Sequence, residues 1–356
     1  MRSIYEIYGS NAYEMTIALM NAADIASRIP KGASIALKPN LVVAADPDSG
    51  ATTHPGVLSG AIEYLQQHGF ENICVMEGSW VGDRTGRAMR VAGYDKVCAA
   101  YNVPFYDLKQ DETEIVQSAI GPMSVCRRAL ETDYLIDLPV LKGHCQTAMT
   151  CALKNLKGCL PDKEKRHFHT LGLQKPIGAL AAVIKPQLII VDSICGDLDF
   201  EEGGTPVHTN RMFLGFDPVQ IDAYGSSLMG LSLEDVPYIQ YAEQYGAGKS
   251  AFSAEDIIRL NQPQDSVVYP RPTGIVANLT RNVHQNRACS ACFASLVRAL
   301  HVRGACSEPL YIGQGYRGKE IDGIGIGMCC SKANICVRGC PPSADDILRV
   351  LDEHGC

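Results

Sequence analysis

Between residues 138 and 169 the chain reads LPVLKGHCQTAMTCALKNLKGCLPDKEKRHFH, gathering lysines, histidines and cysteines into a protein of formal net charge −7. An ammonium group neutralises a carboxylate or phosphate, and an imidazole moves a proton near neutral pH. Lys142 and His144 flank Gly143, where a bare backbone lets a ligand approach, and Thr147 reads as the N-cap of a following helix. A strand running into a helix at that point favours an anion such as a carboxylate or phosphate. Lys154 and Asn155 fall in that apolar helix, which Gly158 ends. On its buried side a lysine requires an acidic partner or a ligand; on its outer side it requires neither. In KEKRHFH, Lys163, Lys165, His167 and His169 follow, and the last three share one face if the segment is extended. His-x-His can ligate a metal, act as an acid–base pair or remain solvated.

Cysteine is the other reactive residue type here. The sequence holds 15, and the first seven are scattered, while eight lie between Cys289 and Cys356. Within the opening stretch Cys145, Cys151 and Cys159 are too widely spaced for a local metal site. Cys289 and Cys292 form a Cys-x-x-Cys pair, and GMCCSKANICVRGCPP adds Cys329, Cys330, Cys336 and Cys340, the last followed by proline. Cys-Pro at the end of a ligand run favours one iron–sulfur cluster, of 4Fe–4S type, over zinc as the second choice. Cys289, Cys292, Cys329 and Cys340 are the ligand set this predicts, with Cys330 and Cys336 as rivals for Cys329. The full ferredoxin run and the Cys-x-x-x-Cys-x-x-Cys run of radical enzymes are both absent.

These residues must be carried by the elements around them. ASIALKPNLVV reads as strand and turn, HPGVLSGAIEYLQQHGF as a helix stopping near Gly69, and ENICVMEGS as a strand. PIGALAAVIKPQLIIVD is helix, break and buried strand, and RMFLGFDPVQIDAYGSSLMGL is a strand with a helix from about Pro218. The alternation predicts an α/β fold with a largely parallel or mixed sheet and helices on both faces, over residues 1–270. A small cysteine-rich iron–sulfur unit follows over 271–356, after the Pro- and Gly-rich stretch at 262–274; ACSACFASLVRALHVRG is helical after its cysteine pair, and SADDILRVLDEHG is the terminal helix. Strand ends of such a sheet bind ligands, so Glu77 after NICVM and Asp192 after QLIIV are better carboxylate candidates than the run Asp197, Asp199, Glu201 and Glu202.

Composition removes several classes of function. Hydrophobic residues are 46% and charged residues 20%, ordinary for a globular protein. The N-terminus lacks a signal-peptide pattern, and no stretch reaches the roughly 18 apolar residues that cross a bilayer, so the expected location is the cytoplasm, without membrane association. Net acidity argues against a nucleic-acid surface. A homo-oligomer is compatible with everything above.

LKPNLV, THP before a helix, MEGS, LPVLKGH, ALKNLKG, VDSI with the later EGGTP, and GFDPVQIDAYGSSLMG occur in that order. Together, over roughly residues 33–232, they resemble the landmarks of the domain of unknown function 362 family. The resemblance implies association with iron–sulfur ligand sequences. It also puts Lys38, Asn40, His54, Glu77, Lys142, His144, Lys154, Asn155 and Asp192 at motif positions.

The expected function is an iron–sulfur redox enzyme with a small anionic organic substrate and a ferredoxin-type electron donor. Lys142 and Lys154 would neutralise the substrate, His144 would transfer a proton, and Glu77 or Asp192 would orient a lysine or histidine. Lys38, Asn40, His54, Asn155, Lys163, His167 and His169 would line the substrate site. An electron-transfer or cluster-carrier protein, or a nonredox lyase or isomerase with a structural or Lewis-acid cluster, are the alternatives.

Overall fold

A computed structural model of the chain describes residues 3–199, 201, 206–263 and 275–355. Glu202 and most of the Pro-rich stretch, 264–274, lie outside the described residues. The chain divides into two compact units, Met1–Lys165 with Gln174–Arg271, and Arg166–Leu173 with Pro272–Cys356. The described residues include thirteen α-helices.

The first unit is built on the strands β1 (Ile4–Tyr8), β2 (Ile35–Pro39), β3 (Ile73–Glu77) and β4 (Phe105–Asp107), then a hairpin of β5 (Thr113–Ser118) and β6 (Gly121–Cys126). It continues through β7 (Tyr134–Leu138), a second hairpin of β8 (Lys142–His144) and β9 (Ala148–Thr150), and β10 (Leu188–Asp197), β11 (Pro206–Gly215) and β12 (Ile257–Arg259). Eight of these strands form one sheet in the order β12-β1-β11-β10-β7-β2-β3-β4. Its β10-β7-β2-β3-β4 half is parallel, and β11 runs antiparallel to both neighbours, so the sheet is mixed.

Period-two alternation explains why both faces are covered. Leu37, Val75, Ile136 and Ile190 join one core with Leu19 of the helix Ala12–Ala22 and Leu58 and Leu65 of the helix Pro55–Gln67. The intervening Ala36, Met76, Leu135 and Ile189 are also buried. On that second face Phe213 meets Tyr224 of the helix Pro218–Leu228 edge-on, with centroids 5.3 Å apart. The carboxyl ends of β2, β3 and β7 therefore share one edge of the sheet, and the loops leaving that edge carry most of the candidate residues.

The structure corrects four local expectations. Thr147 caps no helix: the chain makes the β8/β9 hairpin there, the Thr147 hydroxyl donates to Met149 O, and Ala148 takes a positive φ of 60°. The helix holding Lys154 is consequently short, Ala152–Asn155, and passes into a 3-10 turn over Leu156–Cys159 that contains Gly158. KEKRHFH is helical, within Asp162–Leu171, where Asp162 and Glu164 favour a helix start. At 3.6 residues per turn, His167 cannot share a face with both Lys165 and His169. Asp192 lies inside β10, which runs on to Asp197, and not beyond the strand's end.

In the second unit β13 (Val283–Gln285), β14 (Leu310–Ile312), β15 (Ile321–Ile326) and β16 (Ala333–Val337) form a parallel sheet in sequence order. The helices Ser290–Arg303 and Ala344–Glu353 pack against each other. Cys289 is the N-cap of the first, so this helix starts inside the cysteine pair and not after it. Among the described residues no helix is long and apolar enough to cross a membrane.

Candidate functional site

Lys38 lies one residue before the end of β2 and Glu77 at the end of β3, so the parallel register brings them together. Their Nζ–Oε2 distance is 2.5 Å, and both side chains are buried. Burial opposes the charge on Lys38, but Glu77 outweighs it and holds the ammonium above its ordinary value. Glu77 Oε1 also accepts from Gly78 N at 2.8 Å. The Gly158 backbone presses on this pair, and a Cβ there would overlap Glu77 Oε1 and sit 2.8 Å from Lys38 Nζ. Beside it, Asn155 donates to Asp137 Oδ1 at 2.8 Å, and burial pushes the Asp137 carboxyl up to about 7 against the opposing charge of Lys38.

His54 precedes the helix Pro55–Gln67, and Asp192 binds it twice. Asp192 Oδ2 accepts from the His54 backbone at 2.8 Å and lies 2.7 Å from Nδ1, while Nε2 is 3.2 Å from Asp48 Oδ1. Burial disfavours the charged ring, yet Asp192 and then Asp48 outweigh it and raise His54 to about 9. Asn40 links this pair to the lysines, because its backbone exchanges hydrogen bonds with Thr53, the residue before His54.

Lys142 is fully buried in β8. Its Nζ meets Ala51 O at 2.5 Å, Glu201 O at 2.8 Å and Asn40 Oδ1 at 3.5 Å. An ammonium has three donors, so Lys142 ties the segment after β2 to the Glu201 loop. Gly143 matters here through the fold, because a Cβ on it would overlap the Leu198 carbonyl. His144 Nδ1 accepts from Gln146 N at 3.0 Å and Thr147 N at 3.1 Å, which fixes the ring proton on Nε2. That nitrogen lies 3.2 Å from Glu201 Oε1, close but without the alignment of a hydrogen bond. Burial pushes His144 down to about 4, with Glu201 opposing and Lys154 adding to the effect. Lys154, buried, binds the other Glu201 oxygen. Against burial, His144 and Lys154 hold the Glu201 carboxyl well below the usual range.

Sequence reasoning missed two members of this cluster. Glu201 was set aside inside an acidic run, where no signal separates a buried carboxylate from solvated ones. Lys157 follows Lys154 at helical i, i+3 spacing, which was a usable signal. It is half-buried, and burial together with the like charge of Lys154 pushes it down to about 7. Lys165 is buried as well, donating to Gly78 O at 2.8 Å and Ser79 O at 2.9 Å, and burial lowers it to about 8. Lys163 and His167 are exposed, and Oγ1 of Thr170 lies 3.4 Å from Nδ1 of His167 in the same helix. His169, buried, groups with the second unit, as does His167.

In the second unit, a hydrogen bond with Cys289, then burial and the charges of Cys289, Cys340 and Cys329, raise Cys292, and the same hydrogen bond lowers Cys289 to about 6. The guanidinium of Arg317 lies 3.7 Å from Cys329 Sγ. Cys330 instead turns its buried thiol to Tyr311 O at 3.4 Å, and Cys336 faces Gly327 O at 3.8 Å. Among the described residues no three His, Cys, Asp or Glu side chains close on one point as metal ligands would.

A thylakoid-associated protein of Synechocystis sp. is 26% identical over 256 residues, which cover 67% of this chain and 76% of that one. The lactate racemase apoprotein from Thermoanaerobacterium thermosaccharolyticum overlays with a TM-score of 0.44 at 14% identity, across 63% of this chain and 56% of its own. A Thermotoga maritima protein gives 0.40 at 13%, across 67% and 60%. The chain spans less than two thirds of either solved structure. The family described as "Domain of unknown function (DUF362)" matches residues 35–227, more than half of the chain, and the protein belongs to that family.

Proposed function

We propose that the sheet edge of the first unit is the active site of an enzyme acting on a small anionic organic substrate, and that the second unit carries an iron–sulfur cluster. The observation carrying the first half is that Glu201 pairs with Lys154, lies against His144 and acts on Lys157 only from a distance, which leaves these groups short of negative charge among the described residues. A substrate carboxylate supplies the missing anion to Lys154 and Lys157. Lys142 fixes the Glu201 loop, and His144 offers its Nε2 proton as a neutral donor. The His54–Asp192 pair holds a proton at neutral pH and gives it up as a general acid.

Cys289, Cys292, Cys329 and Cys340 suit the cluster chemically, as four sulfur donors whose charges act on one another within one unit. When bound, a cluster supplies one-electron transfer, with a ferredoxin-type protein as the external donor. The His54–Asp192 pair also favours a second reading, a nonredox lyase or isomerase, since proton transfer needs no electrons.

Anaerobic purification followed by iron and sulfide analysis, visible spectra and electron paramagnetic resonance tests the cluster. Stoichiometric iron and sulfide that are lost in Cys292→Ala are expected. A colourless, zinc-loaded protein would overturn the redox reading and leave the acid–base one standing.

A further inference from the structure

Lys157 differs from every other lysine of the site. Lys38 is bound by Glu77, Lys142 by two carbonyls and Asn40, Lys154 by Glu201, and Lys165 by the carbonyls of Gly78 and Ser79. Among the described residues the Lys157 ammonium has no hydrogen-bond or ion-pair partner. Its backbone is nevertheless fixed, because the next residue, Gly158, packs against Glu77 and Lys38 with no room for a Cβ. Lys154 and Lys165 stand near enough to oppose its charge.

Charge neutralisation alone does not call for such a group, because Lys154 already supplies it. A rigidly based, half-buried amine flanked by cations has the features of a nucleophile that attacks carbonyl carbon. We propose that Lys157 is the nucleophilic amine of this site and captures a 2-oxo acid as an imine, with the substrate carboxylate on Lys154. This rests on the anionic-substrate reading above and narrows it to acids bearing an adjacent carbonyl.

The step balances without a further reagent. Lys157 gives up one ammonium proton, its lone pair forms the C–N bond, and the carbonyl π pair moves to oxygen. The nitrogen then releases a second proton, both protons leave with that oxygen as water, and the nitrogen lone pair closes the C=N bond of a protonated imine. The depression of Lys157 to about 7 puts a large share of the amine in its reactive form at neutral pH.

The full-length protein is incubated with pyruvate and sodium cyanoborohydride, and its peptides are mapped by mass spectrometry. A reduced adduct concentrated on Lys157 is expected, with loss of that adduct in Lys157→Arg, which keeps the charge. An adduct spread evenly over surface lysines, or none where calorimetry shows that pyruvate binds, overturns the amine role and leaves the anion site intact. Absence of both binding and adduct overturns the anionic-substrate reading as well. Mapping the unsubstituted protein carries the test if Lys157→Arg fails to fold.

Discussion

Two sets of buried charges occupy the same sheet edge under opposite rules. Lys38 with Glu77 and His54 with Asp192 each match a buried charge with an opposite one, Asp48 meeting the far nitrogen of His54. Around Glu201 that matching stops: among the described residues this one carboxylate pairs with Lys154, lies against a neutral His144 and acts on Lys157 without an ion pair. A matched pair neutralises its own charge, whereas an unmatched set has charge left to offer a ligand. On the proposed function the first set holds the edge together, with His54 also donating a proton, and the second set binds the anion.

Breaking the matched set should cost the most. Glu77→Ala leaves Lys38 buried without its counterion, and such losses run to about 3–5 kcal/mol; chemical denaturation reads this directly. A smaller effect separates the two histidines by the sign of their pH response. His54 is raised to about 9, so its contribution is complete below an unfolded value of about 6.5 and is lost as pH rises through 9. His144, depressed to about 4, contributes above about 6.5 and loses that contribution as pH falls toward 4. Stability should therefore peak near neutrality, with limbs on the order of 2–3 kcal/mol each. Asp192→Asn should remove the alkaline limb and spare the acid one, as thermal melts across pH would show.

Gly158→Ala sharpens the comparison at lower cost, since the added methyl must displace the Lys38–Glu77 pair. Overpacking of this kind costs about 1–3 kcal/mol, and Gly→Ala at the open, exposed Gly172 serves as the control, with its positive φ of 76° as the only penalty. Smallest in stability should be Lys154→Met, because Lys157 remains to face Glu201. Its unfolding midpoint should move less than that of Glu77→Ala.

Glu77 was legible at the sheet edge because parallel strands deliver whatever sits at their carboxyl ends there; Lys38 came from the family resemblance, and Lys142 opens the β8/β9 hairpin after β7. Pairing was not legible: Lys38 and Glu77 are 39 residues apart and His54 and Asp192 are 138 apart, and only the tertiary fold closes such distances. Local structure failed where short-range hydrogen bonds overrode pattern. His144 Nδ1 takes the two amides that shape the β8/β9 turn, so Thr147 never caps a helix. KEKRHFH puts Lys165, His167 and His169 on one face only if extended, and Asp162 with Glu164 start a helix there instead. The i, i+3 spacing of Lys154 and Lys157 marks them as neighbours, but only the fold shows that Lys154 beside it is buried.

The proposed site stands or falls on whether Glu201's neighbours take up an outside anion. Isothermal titration of the full-length protein with pyruvate, oxalate and inorganic phosphate, repeated on Lys154→Met, measures that need. Binding of an organic acid that weakens roughly ten- to a hundredfold in Lys154→Met, the value of one charge-assisted hydrogen bond, is the predicted result. No binding by any of the three, or equal binding by the variant, would contradict it.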